Sequence, residues 1–404
     1  MDEAVAVFLW PEKPVGNLWF RSSSGRQSAS FEYHPGWLAD KQNSFALEPG
    51  LELYPGVFHT QNLPIFGSLG DSAPDRWGRA LLLRREQRQA KELGRTPKTL
   101  TELDYLLGIN DETRQGALRF KKQGDEQFLA PNERDSIPPL VSLPKLLTAS
   151  ERFLEAKESD EDLRLLLIGG SSLGGARPKA SVYNNNVLSI AKFPKKDDDI
   201  QITLWEALAL SLARKADIQV PEWHITKILG KPVLILKRFD RQKKQRIPFI
   251  SAMSMLGAKD HEQHSYLEIA HAIIRYGAEP TRDLEELWKR MVFNISISNI
   301  DDHLRNHGFL LNTPKGWELS PAYDLNPVPR QEKANFHSLA INQTSREGSV
   351  EVAFSVIDEF RIKKDKAESI LADIRRSLSG WQNTARSLGI SRQEIDRMES
   401  AFIK

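Results

Sequence analysis

The sequence predicts an α+β fold: a β-rich N-terminal subdomain, a central mixed segment and a mostly helical C-terminal part. Three observations lead there. Short β-like runs separated by Pro, Gly and Ser open the chain. Glycine-punctuated segments alternate with strand patterns in the middle, and roughly the last fifty residues carry amphipathic helical patterns. A length of 404 residues exceeds what one hydrophobic core fills, so roughly two or three units are expected.

Taken in order, AVAVFLW, GNLWFRS and SFEYHPGWL read as strands. SAPDRWGRALLLRREQRQAKELG reads as a helix capped by Ser72 or Asp75, with Leu81, Leu82 and Leu83 giving it an apolar side. TLTELDYLLGI predicts a second helix, and DETRQGALRF a turn entering a strand. Residues 121–142 are polar and hold three prolines, the composition of a linker or long surface loop. We therefore expect three segments: 1–140 as an N-terminal subdomain, 141–245 with the glycine loop, and 246–404 as a helical C-terminal part. In the last, KDKAESILADIRRSLSGWQNTARSL reads as a helical buttress.

Composition narrows the function classes. A net charge of +2 gives no general attraction to nucleic acid. The absence of cysteine excludes disulfides, thiolate nucleophiles and cysteine-ligated metals. The acidic start MDEAVAVFLWPEKP is not a secretory leader, and no apolar run is long enough to span a bilayer. A cytoplasmic protein without membrane contact is expected.

The middle of the chain carries the chemistry. LRLLLIGGSSLGGARPKASVY holds Gly169, Gly170, Gly174 and Gly175, and glycine lets backbone N–H groups approach phosphate oxygens. Alone, that is also what a tight surface turn looks like. It is not a P-loop, because GxxxxGK[ST] is missing and a strand is predicted to follow. SVYNNNVLSIAKF reads as a hairpin turning at its asparagines, with Lys192 late in it between apolar neighbours. A lysine so placed needs an anionic partner. Glu206, in the next predicted helix TLWEALALSLARKA, supplies a carboxylate, although a first-turn acid can simply be solvated. KPVLILKRFDR reads as a buried strand leaving the core.

FNISISNIDDHLRNHGFLL is the sharpest signal. Asp301 and Asn306 stand five apart, the spacing of a kinase catalytic loop, in which the aspartate accepts the hydroxyl proton and the asparagine helps hold Mg²⁺. Asn299 and Ile300 replace the usual His-Arg before the aspartate. Asp324 in SPAYDLNP takes the place of the second metal ligand. The adjacent acids Asp301 and Asp302 alone would suit a solvated turn. His303 and His307 have the i, i+4 spacing of a helical zinc pair, but Gly308 and the strand after it argue against a helix there. The order of glycine loop, lysine strand, glutamate helix, exit strand, Asp–Asn loop and metal aspartate is that of a two-lobed protein-kinase-like fold.

The segments GGSSLGGARPKA, IDDHLRNHGFLL and LSPAYDLNP resemble the signatures of HipA-type serine/threonine kinases, the toxins of bacterial toxin–antitoxin pairs. FEYHPGWL, DRWGR, DETRQGALRF and VIDEF…EIDRMESAF extend the resemblance over essentially the whole chain. It implies ATP and Mg²⁺ as cofactors. It further implies a HipB-like helix-turn-helix antitoxin as partner, DNA contact only through that antitoxin, and a protein substrate such as an aminoacyl-tRNA synthetase. By position, Asp301 resembles the catalytic base, and Asn306 and Asp324 the metal ligands. Gly174, Gly175, Ala176, Arg177, Pro178 and Lys179 match the nucleotide-binding loop, and Lys192 with Glu206 the phosphate-binding pair. Lys237, Arg238 and Phe239 match the hinge, while His303, Leu304, Arg305 and Tyr323 join Asn306 as nucleotide contacts. Ser172, with Ser171 as rival, falls where family members carry an autophosphorylated serine. A phosphate there would repel those of ATP. Two departures stand out: Lys237 where glutamate can occur, and Arg305 where lysine is frequent.

Two other functions fit parts of the pattern. A small-molecule phosphotransferase shares the D-x-x-x-x-N loop. A nucleotide-binding corepressor partner of a DNA-binding antitoxin would use basic segments such as RREQRQAKELGR, which equally suit a solvated helix face.

Overall fold

The computed structural model describes residues 3–23, 25–125, 128, 137–170, 175–243, 245–330 and 336–402. The chain divides into two compact units: Met1–Lys195 with Asp240–Ile250, and Lys196–Phe239 with Ser251–Lys404. Mixed α and β structure is present as expected, with the strands concentrated toward the N-terminus.

In the first unit an antiparallel sheet runs in the order Val57–His59, Arg26–Tyr33, Lys13–Ser23, Glu3–Leu9, Leu118–Lys122. Strand periodicity sets what it buries. Val5 and Val7, Leu18 and Phe20, and Phe31 and Tyr33 enter one core, with Val5 opposite Leu18 and Leu18 opposite Phe31. The run SFEYHPGWL departs from expectation, because its strand stops at Tyr33. Pro35 presets helical φ, so PGWLA becomes a short helix capped by the His34 ring, and Trp37 is buried beneath it.

Asp75, not Ser72, caps the Arg76–Glu92 helix, its carboxylate accepting the Gly78 N–H at 2.8 Å. Leu81 and Leu82 turn inward, whereas Leu83 is exposed. A reciprocal Thr101–Asp104 capping box starts the Glu102–Leu107 helix. The expected loop 121–142 is shorter than its composition suggested. The strand reaches Lys122, Phe128 and Ile137 are buried, and a 3₁₀ turn covers Leu140–Ser142; residues 126–127 and 129–136 lie outside the described set.

Asp240–Ile250 joins the first unit through buried polar contacts. Asp240 accepts the Gly116 N–H at 2.7 Å and pairs with Arg241, and Arg246 reaches Asp111 at 2.9 Å. Beyond the Leu143–Leu154 and Asp160–Ile168 helices, the unit carries the hairpin Lys179–Asn184/Val187–Lys192, with Asn185 and Asn186 both at positive φ in its turn.

The second unit holds the Ile202–Lys215 helix, the hairpin Trp223–Ile228/Lys231–Lys237 and the helices Tyr266–Tyr276 and Pro280–Ser296. A second hairpin, Gly308–Thr313/Gly316–Leu319, precedes a helical tail. The tail is welded to the unit by Glu394, which accepts from the Gln201 N–H and the Trp205 indole, each at 3.0 Å. Trp381 also stacks on Phe402 with centroids 4.1 Å apart. Among the described residues no helix is long and apolar enough to cross a membrane.

Candidate active site

The site residues fall in both units, and each set is built by its own unit. In the second, the long Pro280–Ser296 helix ends just before a turn that starts at Ser298, φ +52°. The turn is pinned at several points: Asn299 N–H to Asn294 O at 2.8 Å, and Ser338 N–H to Ile300 O at 2.8 Å. Asp301 is exposed at its apex, whereas Asp302 is 3 % exposed. The solvated-turn reading therefore holds for one acid and fails for its neighbour.

Asp302 is the anchor. Its Oδ2 accepts from the Tyr266 hydroxyl, from Asn294 Nδ2 at 2.9 Å and lies 2.8 Å from His307 Nε2. Burial alone would push this carboxyl up, but the charge and hydrogen bond of His307, helped by Tyr266, outweigh it and hold it below the ordinary carboxylate range. Burial, then the Asp302 charge, push the Tyr266 hydroxyl far above its usual range. Nothing in the local pattern announces these partners, because Tyr266 lies 36 residues away. His307 is thus committed to a carboxylate. His303 is separated from it by a 3₁₀ turn, Leu304–Asn306, not a turn of α-helix. Among the described residues no group of three or more His, Cys, Asp or Glu is placed to hold a metal.

The same 3₁₀ turn carries Asn306, which is buried and donates from Nδ2 to the Asp301 carbonyl at 3.4 Å. Its Oδ1 takes no part in that bond. Leu304 is buried, His303 partly so, and exposed Arg305 pairs with Asp260 at 3.1 Å. Tyr323 donates to the Arg305 carbonyl at 2.8 Å and stacks on Phe239 with centroids 5.6 Å apart. These contacts tie the segment of Asp324 to the turn of Asn306 and to the end of the exit strand. Asp324 has φ +60°, and its Oδ1 accepts from Asn326 Nδ2 at 3.3 Å. Arg238 is buried, and exposed Lys237 pairs with Glu222 at 2.8 Å. Glu206 is buried in the Ile202–Lys215 helix and is no solvated first-turn acid.

A carboxylate and an amide oxygen on adjoining segments suit Mg²⁺, which takes hard oxygen ligands from few protein groups and fills its octahedron with water and phosphate. The donor chemistry of Asp324 and Asn306 fits.

In the first unit the Asp160–Ile168 helix runs into Gly169, where a Cβ would lie 3.0 Å from that of Ala180. Ser171, Ser172 and Gly174 lie outside the described residues. Gly175 has φ +95°, which favours glycine. Its carbonyl accepts from Lys179 Nζ at 3.1 Å and the Trp77 N–H at 3.4 Å. Lys179 is buried, and its Nζ donates to Asp75 Oδ2 at 2.6 Å while the Trp77 indole donates to its carbonyl. Within this unit Lys179 and Asp75 fix the shape of the loop's exit; sequence reasoning gave Asp75 only a capping role and missed Trp77. Ala176 is exposed, Arg177 partly so and Pro178 buried. Lys192 closes the hairpin opposite Lys179. Much of the basic helix's charge is taken up by acids: Arg79 forks onto Glu102 at 2.7 and 2.6 Å, and Arg84 and Arg88 converge on Glu158.

Residues 171–381, more than half of the chain, match the model of the HipA-like C-terminal domain. The chain belongs to the HipA-like family. A Sinorhizobium fredii protein provisionally named a kinase, Y4mE, is 25% identical to this HipA-like chain over 354 residues, 80% of the chain and 77% of its own length. A Haemophilus influenzae protein, also provisionally named a kinase, is 26% identical over 229 residues, covering 50% of this chain and 64% of its own. Among solved structures, HipA of Shewanella oneidensis in complex with HipB and operator DNA superposes with a TM-score of 0.68 at 16% identity, covering 98% of this chain and 94% of that one. The HipA fold is therefore common to both.

Proposed function

We propose that this HipA-like chain is an ATP- and Mg²⁺-dependent serine/threonine protein kinase. The observation that carries the reading is the split between neighbouring acids: exposed Asp301 stands on a turn fixed by buried Asp302, with Asn306 five residues on. A general base must be accessible and held in place, and this arrangement meets both needs. In the proposed step the Asp301 carboxylate accepts the proton of a substrate hydroxyl, whose oxygen attacks the γ-phosphorus of ATP as the bond to the β–γ bridging oxygen breaks. Asn306 Oδ1 and the Asp324 carboxylate would hold Mg²⁺, which supplies neutralisation of the phosphate charge. Phe239 and Tyr323, already stacked on one another, would border the base, and Lys192 would take the α- and β-phosphates.

The names of the relatives support a kinase, and the Shewanella oneidensis complex of HipA with HipB and operator DNA supports a HipB-like antitoxin as partner. A toxin role in the cytoplasm, a translation component such as an aminoacyl-tRNA synthetase as substrate, and self-inactivation at Ser172 belong to the same reading and rest on family resemblance.

Intact mass spectrometry after phosphatase treatment and incubation with Mg²⁺-ATP tests it, on wild type and Asp301→Asn in parallel. A gain of phosphate on wild type alone is expected, mapping to Ser172 and not Ser171. Equal gain on both proteins would remove Asp301 from the role of base. Absence of both phosphate gain and ATP binding would end the kinase reading.

A further inference from the structure

A groove of about 540 Å³ lies within the first unit, between the Arg76–Glu92 helix, the turn after Glu102–Leu107 and the Asp160–Ile168 helix. Its lining pairs an apolar floor, which includes Leu107, Leu163 and Leu167, with three guanidinium groups, Arg85, Arg88 and Arg164. It is not uniformly basic, since Glu92 and Asp160 also border it.

The charges are not distributed evenly among partners. Arg88 is held by Glu158 and Asp160, and Glu158 also takes Arg84 at 3.0 Å. Glu86, next to Arg85 in sequence, is committed to Arg95 at 2.6 Å and to the Lys98 N–H at 2.7 Å. Among the described residues, Arg85 is left without an ion-pair partner although it is partly buried against the groove. Burial pushes its pKa down, and the charge of neighbouring Glu86, itself paired with Arg95, opposes this only in part. A guanidinium in that position beside apolar walls is what a carboxylate or sulfonate on an apolar body requires. Two lining residues, Leu167 and Ile168, end the helix that runs into Gly169, so the groove adjoins the start of the glycine segment.

We propose that this groove is a binding site for a small organic anion with an apolar body, whose anionic group pairs with Arg85 and whose body lies on Leu107, Leu163 and Leu167. The site stands apart from the kinase reading and does not depend on it.

The test uses the full chain and two fluorescent probes that differ in the anionic group: 8-anilino-1-naphthalenesulfonate and uncharged N-phenyl-1-naphthylamine. Saturable, one-to-one binding of the sulfonate is expected, at least tenfold weaker in Arg85→Met, with the uncharged probe binding both proteins alike. Leu167→Glu, at a partly exposed lining position, is a second variant and should also reject the sulfonate by tenfold or more. The melting temperature of Arg85→Met should match or exceed wild type, since an unpaired cation is removed. No saturable sulfonate binding, or affinities unchanged in both variants, would overturn the proposal.

Discussion

In the first unit the segment around Gly175 is held by a lysine–carboxylate pair, Lys179 with Asp75, backed by the Trp77 indole. In the second, the turn around Asp301 is held by one carboxylate that gathers a hydroxyl, an amide and an imidazole. Both anchors are buried, and both set the position of exposed groups that cannot hold themselves. The difference lies in redundancy. Asp75 also caps a helix through the Gly78 N–H and keeps a partner if Lys179 is removed, whereas the three donors around Asp302 all converge on one oxygen.

The largest expected effect follows from that convergence. Asp302→Ala leaves the Tyr266 hydroxyl and His307 Nε2 without their acceptor, and Asn294 Nδ2 with only the Tyr266 oxygen at 3.3 Å, a loss of about 3–5 kcal/mol. Lys179→Met keeps the apolar stem and leaves Asp75 with its cap bond, so it should cost roughly half as much. Urea unfolding with hydrogen exchange to separate the units measures both. A Lys179→Met cost equal to that of Asp302→Ala would break the comparison.

The two units also differ in how they answer acid. His337 is fully buried in the second unit, and burial pushes its imidazole down to about 4, with the Asp302 charge opposing only in part. Between pH 6.5 and 4 the unfolded chain then binds the extra proton, so this stability is complete above pH 6.5 and lost as pH falls toward 4, by up to about 3 kcal/mol. Glu48 in the first unit is the reverse case. Burial pushes its carboxyl up to about 7, despite the Ser68 N–H it accepts. The folded unit therefore holds the proton over that range, and the contribution present at low pH is lost as pH rises from about 4.5 to 7. Because Glu48 is only partly buried, about 1–2 kcal/mol is expected. Lowering the pH from 7 to 5 should weaken the second unit and strengthen the first, read by hydrogen exchange at the two pH values. His337→Gln and Glu48→Gln should each flatten the response of their own unit.

What the sequence made legible was whatever is written locally. The Asp301–Asn306 spacing, the asparagine turn of the hairpin, the Asp75 cap as one of two choices, and the helical tail are each encoded within a few adjacent residues. The groups that fix the candidate site are not. Tyr266 and Asp75 reach their partners from 36 and 104 residues away, and only folding brings them there. The buried role of Asp302 was not legible for a different reason, because two adjacent acids look alike in a sequence while the turn exposes one and buries the other. His307 five residues on was the available clue, and its spacing to His303 raised instead a metal pair that Gly308 argued against. The SFEYHPGWL run misled because its aromatic residues suit a strand while Pro35 starts a helix.

A smaller effect probes the link between the Asn306 and Asp324 segments. Tyr323→Phe removes the hydroxyl donated to the Arg305 carbonyl and keeps the stack on Phe239. A half-exposed hydrogen bond of this kind contributes about 0.5–1 kcal/mol. Faster amide exchange confined to residues 303–307, with the Asp302 anchor unchanged, is the expected signature. Exchange spreading through Pro280–Ser296 would mean that the link supports the whole turn.

The smallest stability effect should come from the residue given the largest chemical role. Asp301 is exposed, and its backbone carbonyl, not its carboxylate, takes the Asn306 bond. Asp301→Asn keeps that carbonyl and the side-chain volume, so unfolding in urea should shift by no more than about 0.5 kcal/mol. Phosphoryl transfer should meanwhile fall by about 10²–10⁴-fold, the span attributed to a positioned general base. Asp302→Asn makes the complementary control: it keeps one oxygen acceptor, removes the buried charge beside His307, and should lower stability and activity together. If Asp301→Asn unfolded as readily as Asp302→Asn, the two neighbouring carboxylates would share one structural role, and the separation of exposed base from buried anchor would fail.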